Sequence, residues 1–303
     1  MTTNRFQCFT ISITPFAEDG AIDEAGLRRH LRKLGDAGIG VYVGGGGSGE
    51  GYTLTQQETD RLLRIAVEEL KGRVPVRAMG VEPRTAGQMN AFLDMAEAAG
   101  VDAAQVYSLD VGHGHMPTPR ELDAYFSEVL SNSRLPAVFS THQSVGYVIP
   151  AQVIIDLFAR HDHLIGLNVS HQDPGYLRTL VDALGDRIDI CVGGPHQAPL
   201  ALALGGHGFL TSEGNIAPKL CMSVIAAAKA GDNVAFLERW GKLMRLFMAL
   251  YGNGGIRVTK ALLGLYGLAG GVPRAPRLPA EADALARAKA VVEELGIADI
   301  EGW

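Results

Sequence analysis

The chain predicts a single (β/α)8 barrel, of the TIM-barrel class, with a C-terminal helical extension, and three observations carry that expectation. Short β-rich runs alternate with longer amphipathic stretches over the first two thirds of the 303 residues. Eight such runs fit into about 220 residues, where an open doubly wound sheet would need fewer strands or more chain. Nearly all of them are β-branched or aliphatic, as strands covered on both faces must be. The barrel is expected over residues 1–217 and the extension over 218–303.

In order, the strand candidates are FTISITPF from Phe9, GVYVGGG from Gly40, VPVRAMGV from Val74 and DAAQVYS from Asp102. LPAVFSTH from Leu135, LIGLNVSH from Leu164, IDICVGG from Ile188 and GFLTSEGN from Gly208 complete them. Helical periodicity fills the intervals: 24–37, 55–70, 86–99, 119–131, 150–160, 176–184 and 199–204. Thr55 and Glu58 stand three apart, the spacing of a reciprocal hydroxyl and carboxylate cap. Gly38 and Gly100 follow helical runs where a left-handed residue must end them. After Pro218 the apolar residues recur only at helical spacing, in LCMSVIAAAKA, VAFLERWGKLMRLFMALY, VTKALLGLYGL and ADALARAKAVVEELG.

Composition narrows the function. With 47% hydrophobic and 20% charged residues, the chain can bury a large core. A net charge of −6 leaves no basic surplus for a phosphate backbone, so nucleic acid is excluded as a partner. Cys8, Cys191 and Cys221 are an odd set with no CxxC spacing, which argues against a disulfide framework or a cysteine zinc site and fits a reducing cytoplasm. No basic then apolar leader opens the sequence, and no apolar run reaches the roughly 18 to 20 residues of a membrane span. A soluble, cytoplasmic protein without membrane partners is expected.

In a barrel of this kind, chemistry sits at the C-terminal ends of the strands. Those positions hold Gly44–Glu50, Glu82, Asp110, His113, His115, Ser140, His142, Asn168, His171, Asp173, His196, Glu213 and Asn215. The run GGGGSGEG lacks the ending of a phosphate loop and the pattern of a dinucleotide fingerprint. Its glycines can instead turn backbone N–H groups toward an anion, with Gly47 and Ser48 binding a substrate carboxylate. The alternative is a tight turn that only lets the chain leave the barrel. His142, His171 and His196 follow three successive strands, and Glu213 follows the next. That arrangement suits acid–base work or a divalent metal, and spacing does not choose between them or ordinary packing histidines. Glu50, Asp110, Asp173 and Glu82 read first as capping or solvated carboxylates, and His207 as part of a structural turn.

GGSGE at Gly46–Glu50, followed by LTQQE at Leu54–Glu58, resembles the GTTGE and LTxxE pair of the dihydrodipicolinate synthase and N-acetylneuraminate lyase family. TPF at Thr14, DGAID at Asp19, LGGHGFLTSEGNIAP at Leu204 and IRVTKALLGLYGL at Ile256 are similar to segments of that family in the same order. The resemblance implies a barrel lyase acting on a 2-oxo acid. It also implies a lysine on the sixth strand, in a segment like GIKE, to form a Schiff base; here the segment is GLNV, with Asn168 at that position. An amide forms no imine, and no other lysine ends a strand. The family's relay tyrosine on the fifth strand corresponds to Ser140 when counted from the preceding Leu-Pro, with Phe139 the alternative because the following loop is one residue shorter, and its carboxylate-binding arginine has only Ser144 nearby.

Two functions follow from these departures. One is a lyase or hydro-lyase on a small carboxylate or 2-oxo acid, working by acid–base catalysis through Ser140, His142, Asn168, His171 and His196, with Gly47, Ser48 and Glu213 binding substrate. The other is a catalytically silent homologue that retains the carboxylate cradle. No cofactor is expected, and a divalent metal stays open. The resemblance further implies a homodimer or homotetramer, in which Asp110, His113 or His115 would stand where a neighbour's aromatic residue reaches the site.

Overall fold

In the computed structural model, which describes residues 5–303, eight parallel strands close into a barrel in chain order. They are β1 (Gln7–Ile11), β2 (Gly40–Val43), β3 (Val76–Ala78), β4 (Ala103–Val106), β5 (Ala137–Ser140), β6 (Leu164–Val169), β7 (Asp189–Val192) and β8 (Gly208–Thr211). Every strand candidate meets one of these. The first differs in extent: β1 starts at Gln7, opposite Gly208, and ends at Ile11, and two residues on the Ile13 N–H bonds to the Asn215 side chain instead of a neighbouring strand. Beyond it, Phe16 forms antiparallel bridges to Ile22 and Val272 instead.

The outer ring comprises α1 (Glu24–Asp36), α2 (Gln56–Leu70), α3 (Ala86–Ala99), α4 (Pro119–Asn132), α5 (Ala151–Arg160), α6 (Pro174–Leu184), α7 (Ala198–Ala203) and α8 (Pro218–Ala230). Local chemistry sets their starts. Thr55 accepts the Glu58 N–H while Glu58 returns a bond to the Thr55 N–H, and Thr118 with Glu121 repeats the device before α4. Helix α6 begins two residues before Tyr176, because Asp173 caps the first turn and Pro174 occupies a position that needs no N–H donor. Gly100 ends α3 at φ 83°.

Helix α8 packs against β1 and so completes the ring from the stretch assigned to the extension. The remaining helices are α9 (Asn233–Tyr251), α10 (Ile256–Leu265), α11 (Ala282–Glu294) and α12 (Ile297–Glu301). Glu301 turns back to accept the N–H groups of Lys219 (3.2 Å) and Leu220 (3.0 Å) at the start of α8. Between barrel and ring, the rings of Phe126, Phe139 and Phe158 pack in succession. Phe139 therefore faces the helices, and Ser140 is the residue that β5 turns inward. No helix among the described residues is long and apolar enough to cross a membrane.

Candidate active site

A cavity of about 880 Å³ opens at the C-terminal ends of the strands, a volume suited to a small-molecule ligand. Its floor is polar. Arg77 Nη1 donates to the Tyr42 hydroxyl (3.0 Å), and Asn168 Nδ2 donates to that hydroxyl (3.1 Å) and to Gln105 Oε1 (2.8 Å). The Arg77 guanidinium also lies 4.1 Å from the centre of the Phe9 ring, so its charge is met by a π face as well as by a hydroxyl. Burial raises the Tyr42 phenol above its usual value, although Arg77 opposes the rise. Sequence reading passed over Tyr42, Arg77 and Gln105, yet each is the polar residue in an otherwise apolar strand, and that was the available signal.

Asn168 and Ser140 are register partners on adjacent strands, and both face the cavity. The Ser140 hydroxyl accepts the His142 N–H at 3.2 Å. His142, two residues on, projects to the same side, and its Nδ1 is bonded to Glu82 Oε1. Ser144 Oγ also donates to Glu82 and lies 2.9 Å from His142 Nδ1. Burial pushes the Glu82 carboxyl up, but the bonds from His142 and Ser144 outweigh it and hold the group below its usual value. Glu82 is thus not the solvated carboxylate expected: it orients a histidine. Tyr107, immediately after β4, adds a buried phenol whose ring stands edge-on to His142 at 6.4 Å. Its burial and the nearby Glu82 keep it protonated well above the usual phenol range.

The glycine turn occupies one wall. Glu50 sits at φ 53°, and a Cβ at Gly51 would come within 2.1 Å of the Gly44 carbonyl, so this path requires glycine. Gly47 borders open cavity space, while the Ser48 hydroxyl lies 2.7 Å from that of Ser212. Behind the turn, Glu50 pairs with Lys260, both side chains fully buried, and accepts the Arg274 N–H at 3.1 Å. The structural reading of Glu50 fits this placement.

Other expected site residues are placed differently. His171 lies outside the cavity: its ring stacks on Tyr176 at 4.9 Å, and its Nδ1 accepts the Asp173 N–H. The reason is parity, since Asn168 and Ser170 point inward and the next residue points away. Glu213 belongs to the wall, but its carboxyl is fully buried; Oε2 accepts from Thr211 Oγ1 and Oε1 has no partner. Burial raises its pKa and favours the neutral acid. His196 does border the cavity, against Phe247, with Nδ1 buried and unpartnered; burial lowers its pKa. His113 and His115 are exposed in their glycine loop and do not line the cavity. Among the described residues, no three His, Cys, Asp or Glu side chains gather as a metal site would need, so His142, His171, His196 and Glu213 do not form one.

The family model that matches this sequence is that of the dihydrodipicolinate synthetase family, over residues 5–295. The chain belongs to that family. It is 28% identical over 287 residues to the 4-hydroxy-tetrahydrodipicolinate synthase of Methanopyrus kandleri, with 94% of each chain covered. The fold is similar to that of dihydrodipicolinate synthase from Aquifex aeolicus (TM-score 0.86, 23% identity, 96% of this chain and 99% of that one). It is also similar to that of a monomeric dihydrodipicolinate synthase variant (TM-score 0.89, 21% identity, 98% of both chains). Within this family fold, β6 presents Asn168, and among the described residues no lysine lines the cavity.

Proposed function

We propose that the protein is a lyase of the dihydrodipicolinate synthase type that acts on a small carboxylate or 2-oxo acid by acid–base catalysis without an imine. The observation that carries this reading is the rim dyad: a cavity without a lysine has a histidine whose Nδ1 is held by a carboxylate, leaving Nε2 for substrate. Glu82, held ionised by its bonds, fixes the His142 ring through Nδ1 while Nε2 exchanges the proton. For a hydroxylated 2-oxo acid, Nε2 takes the hydroxyl proton and the C–C bond breaks. The electron pair moves to the carbon beside the keto group and onto its oxygen, and the resulting enolate recovers the proton from His142. The Tyr107 phenol, kept protonated by burial, and the Ser140 hydroxyl are the donors that would meet the enolate oxygen. The glycine turn with Ser48 supports the substrate carboxylate.

Borohydride reduction in the presence of pyruvate is expected to leave no covalent adduct, and a trapped adduct would overturn the imine-free route. His142→Ala should lower kcat by about 10²-fold or more, the ordinary contribution of a positioned base. Full activity in EDTA is expected, whereas its loss would bring a metal into the mechanism. Binding of 2-oxo or sugar acids with no turnover would identify a silent binding protein instead. The family resemblance supports assembly as a homodimer or homotetramer in the cytoplasm. Light scattering should then give a mass well above the 32.2 kDa of one chain.

A further inference from the structure

Most arginines of this chain are engaged by carboxylates or carbonyls, from Arg5 on Asp189 to Arg274 on Glu58. Two that border the cavity are not. Arg257 and Arg277 line its outer part, and neither guanidinium has a hydrogen bond or ion pair among the described residues. Arg277 is held in place by the face of Tyr52, 5.2 Å from its ring centre, so it is positioned without being neutralised. Burial raises the Tyr52 phenol above its usual value; the charges of Arg277 and Arg257 oppose the rise and that of Glu50, which Lys260 neutralises behind the glycine turn, adds to it. The first turn of α10 reaches the same rim: Gly255, Ile256 and Arg257 line the cavity, and the helix has no side-chain cap.

No acid on the cavity wall answers this charge. Its two carboxyls are Glu82, engaged by His142 and Ser144, and Glu213, buried toward its neutral form. A protein of net charge −6 thus keeps two guanidiniums and an open helix end unpaired at the mouth of this cavity. We infer that this rim is a second anion subsite, and that the ligand is anionic at both ends, with its outer carboxylate or phosphate held by Arg257 and Arg277 and its reacting end at Asn168. The inference rests on the cavity being the substrate site, but not on how the bond is broken there.

The test compares equilibrium binding of 2-oxoadipate and 2-oxohexanoate, equal in length and different in the outer carboxylate, and of inorganic phosphate alone. The dicarboxylate should bind at least about tenfold more tightly than the monocarboxylate, as charge-assisted contacts to guanidinium allow. Added salt should reduce that margin, and the Arg257→Gln/Arg277→Gln double variant should abolish it. Phosphate binding that depends on the same two arginines would name phosphate as the outer group. Equal affinities together with no arginine-dependent phosphate binding, or a margin that survives in the double variant, would overturn the subsite. Imine trapping and the loss on His142→Ala report on the reaction alone, so either proposal can fail without the other.

Discussion

The floor and the mouth of the cavity treat charge in opposite ways. At the floor and beneath it, Asn168 and Gln105 with the buried Tyr42 and Arg77 satisfy one another, and behind the glycine turn Lys260 and Glu50 do the same. At the mouth, Arg257 and Arg277 stand without partners, and His142 offers one free nitrogen. A buried polar group left unpaired weakens the fold, whereas an unpaired group open to water costs it little. Networks closed away from the cavity therefore mark scaffold, while groups that reach the cavity, whether Asn168 on top of such a network or the open arginines at the mouth, mark positions from which a ligand can be held.

Substitutions can break that division, beginning with the deepest. Lys260→Met leaves the Glu50 carboxylate buried without its cation, and should cost about 3 to 5 kcal/mol in chemical denaturation, with the glycine turn loosened. A loss near zero would mean that water reaches this pair. Acid should act through His30, whose burial holds its pKa at about 3 while its Nε2 bonds to Asn215. The unfolded chain binds a proton near pH 6.5 that the folded chain refuses. Stability should then fall by a few kcal/mol as pH drops from about 6.5 toward 3, and His30→Gln should flatten that part of the profile.

Arg77→Met removes a bond to Tyr42 and a contact with Phe9, and is expected to cost roughly 1 to 3 kcal/mol. The smallest effect belongs to the mouth: Arg257→Gln and Arg277→Gln should shift the unfolding midpoint little, because neither guanidinium has a hydrogen bond or ion pair among the described residues and only the exposed contact of Arg277 with Tyr52 is lost. A clear destabilisation there would erase the contrast between the two regions.

The barrel was legible because parallel strands buried on both faces leave continuous apolar runs, and because glycines, prolines and hydroxyl caps punctuate the helices between them. The cavity was only partly legible. Ser140, His142, Asn168 and Ser48 were found by their place at strand ends, but distance from a strand end does not say which way a side chain points. His171 shows this, falling one residue past Ser170 and turning outward onto Tyr176. Glu82 became informative only when a fold brought it to His142, sixty positions away. Tyr107 was hidden by its strand: the phenol in the cavity follows β4, whereas the family resemblance placed a relay tyrosine on β5.

The cavity's roof comes from a different part of the chain than its floor. Phe247 and Tyr251 belong to α9, Ile256 and Arg257 to α10, while Gln105, Ser140 and Asn168 stand on barrel strands. Evolution, or an engineer, could therefore exchange what the protein accepts by rewriting one helical hairpin, leaving the eight strands and their register untouched. Lineages of this barrel would then diversify in ligand first and in reaction second, and grafting the segment from Phe247 to Arg277 between relatives would be the natural unit of exchange.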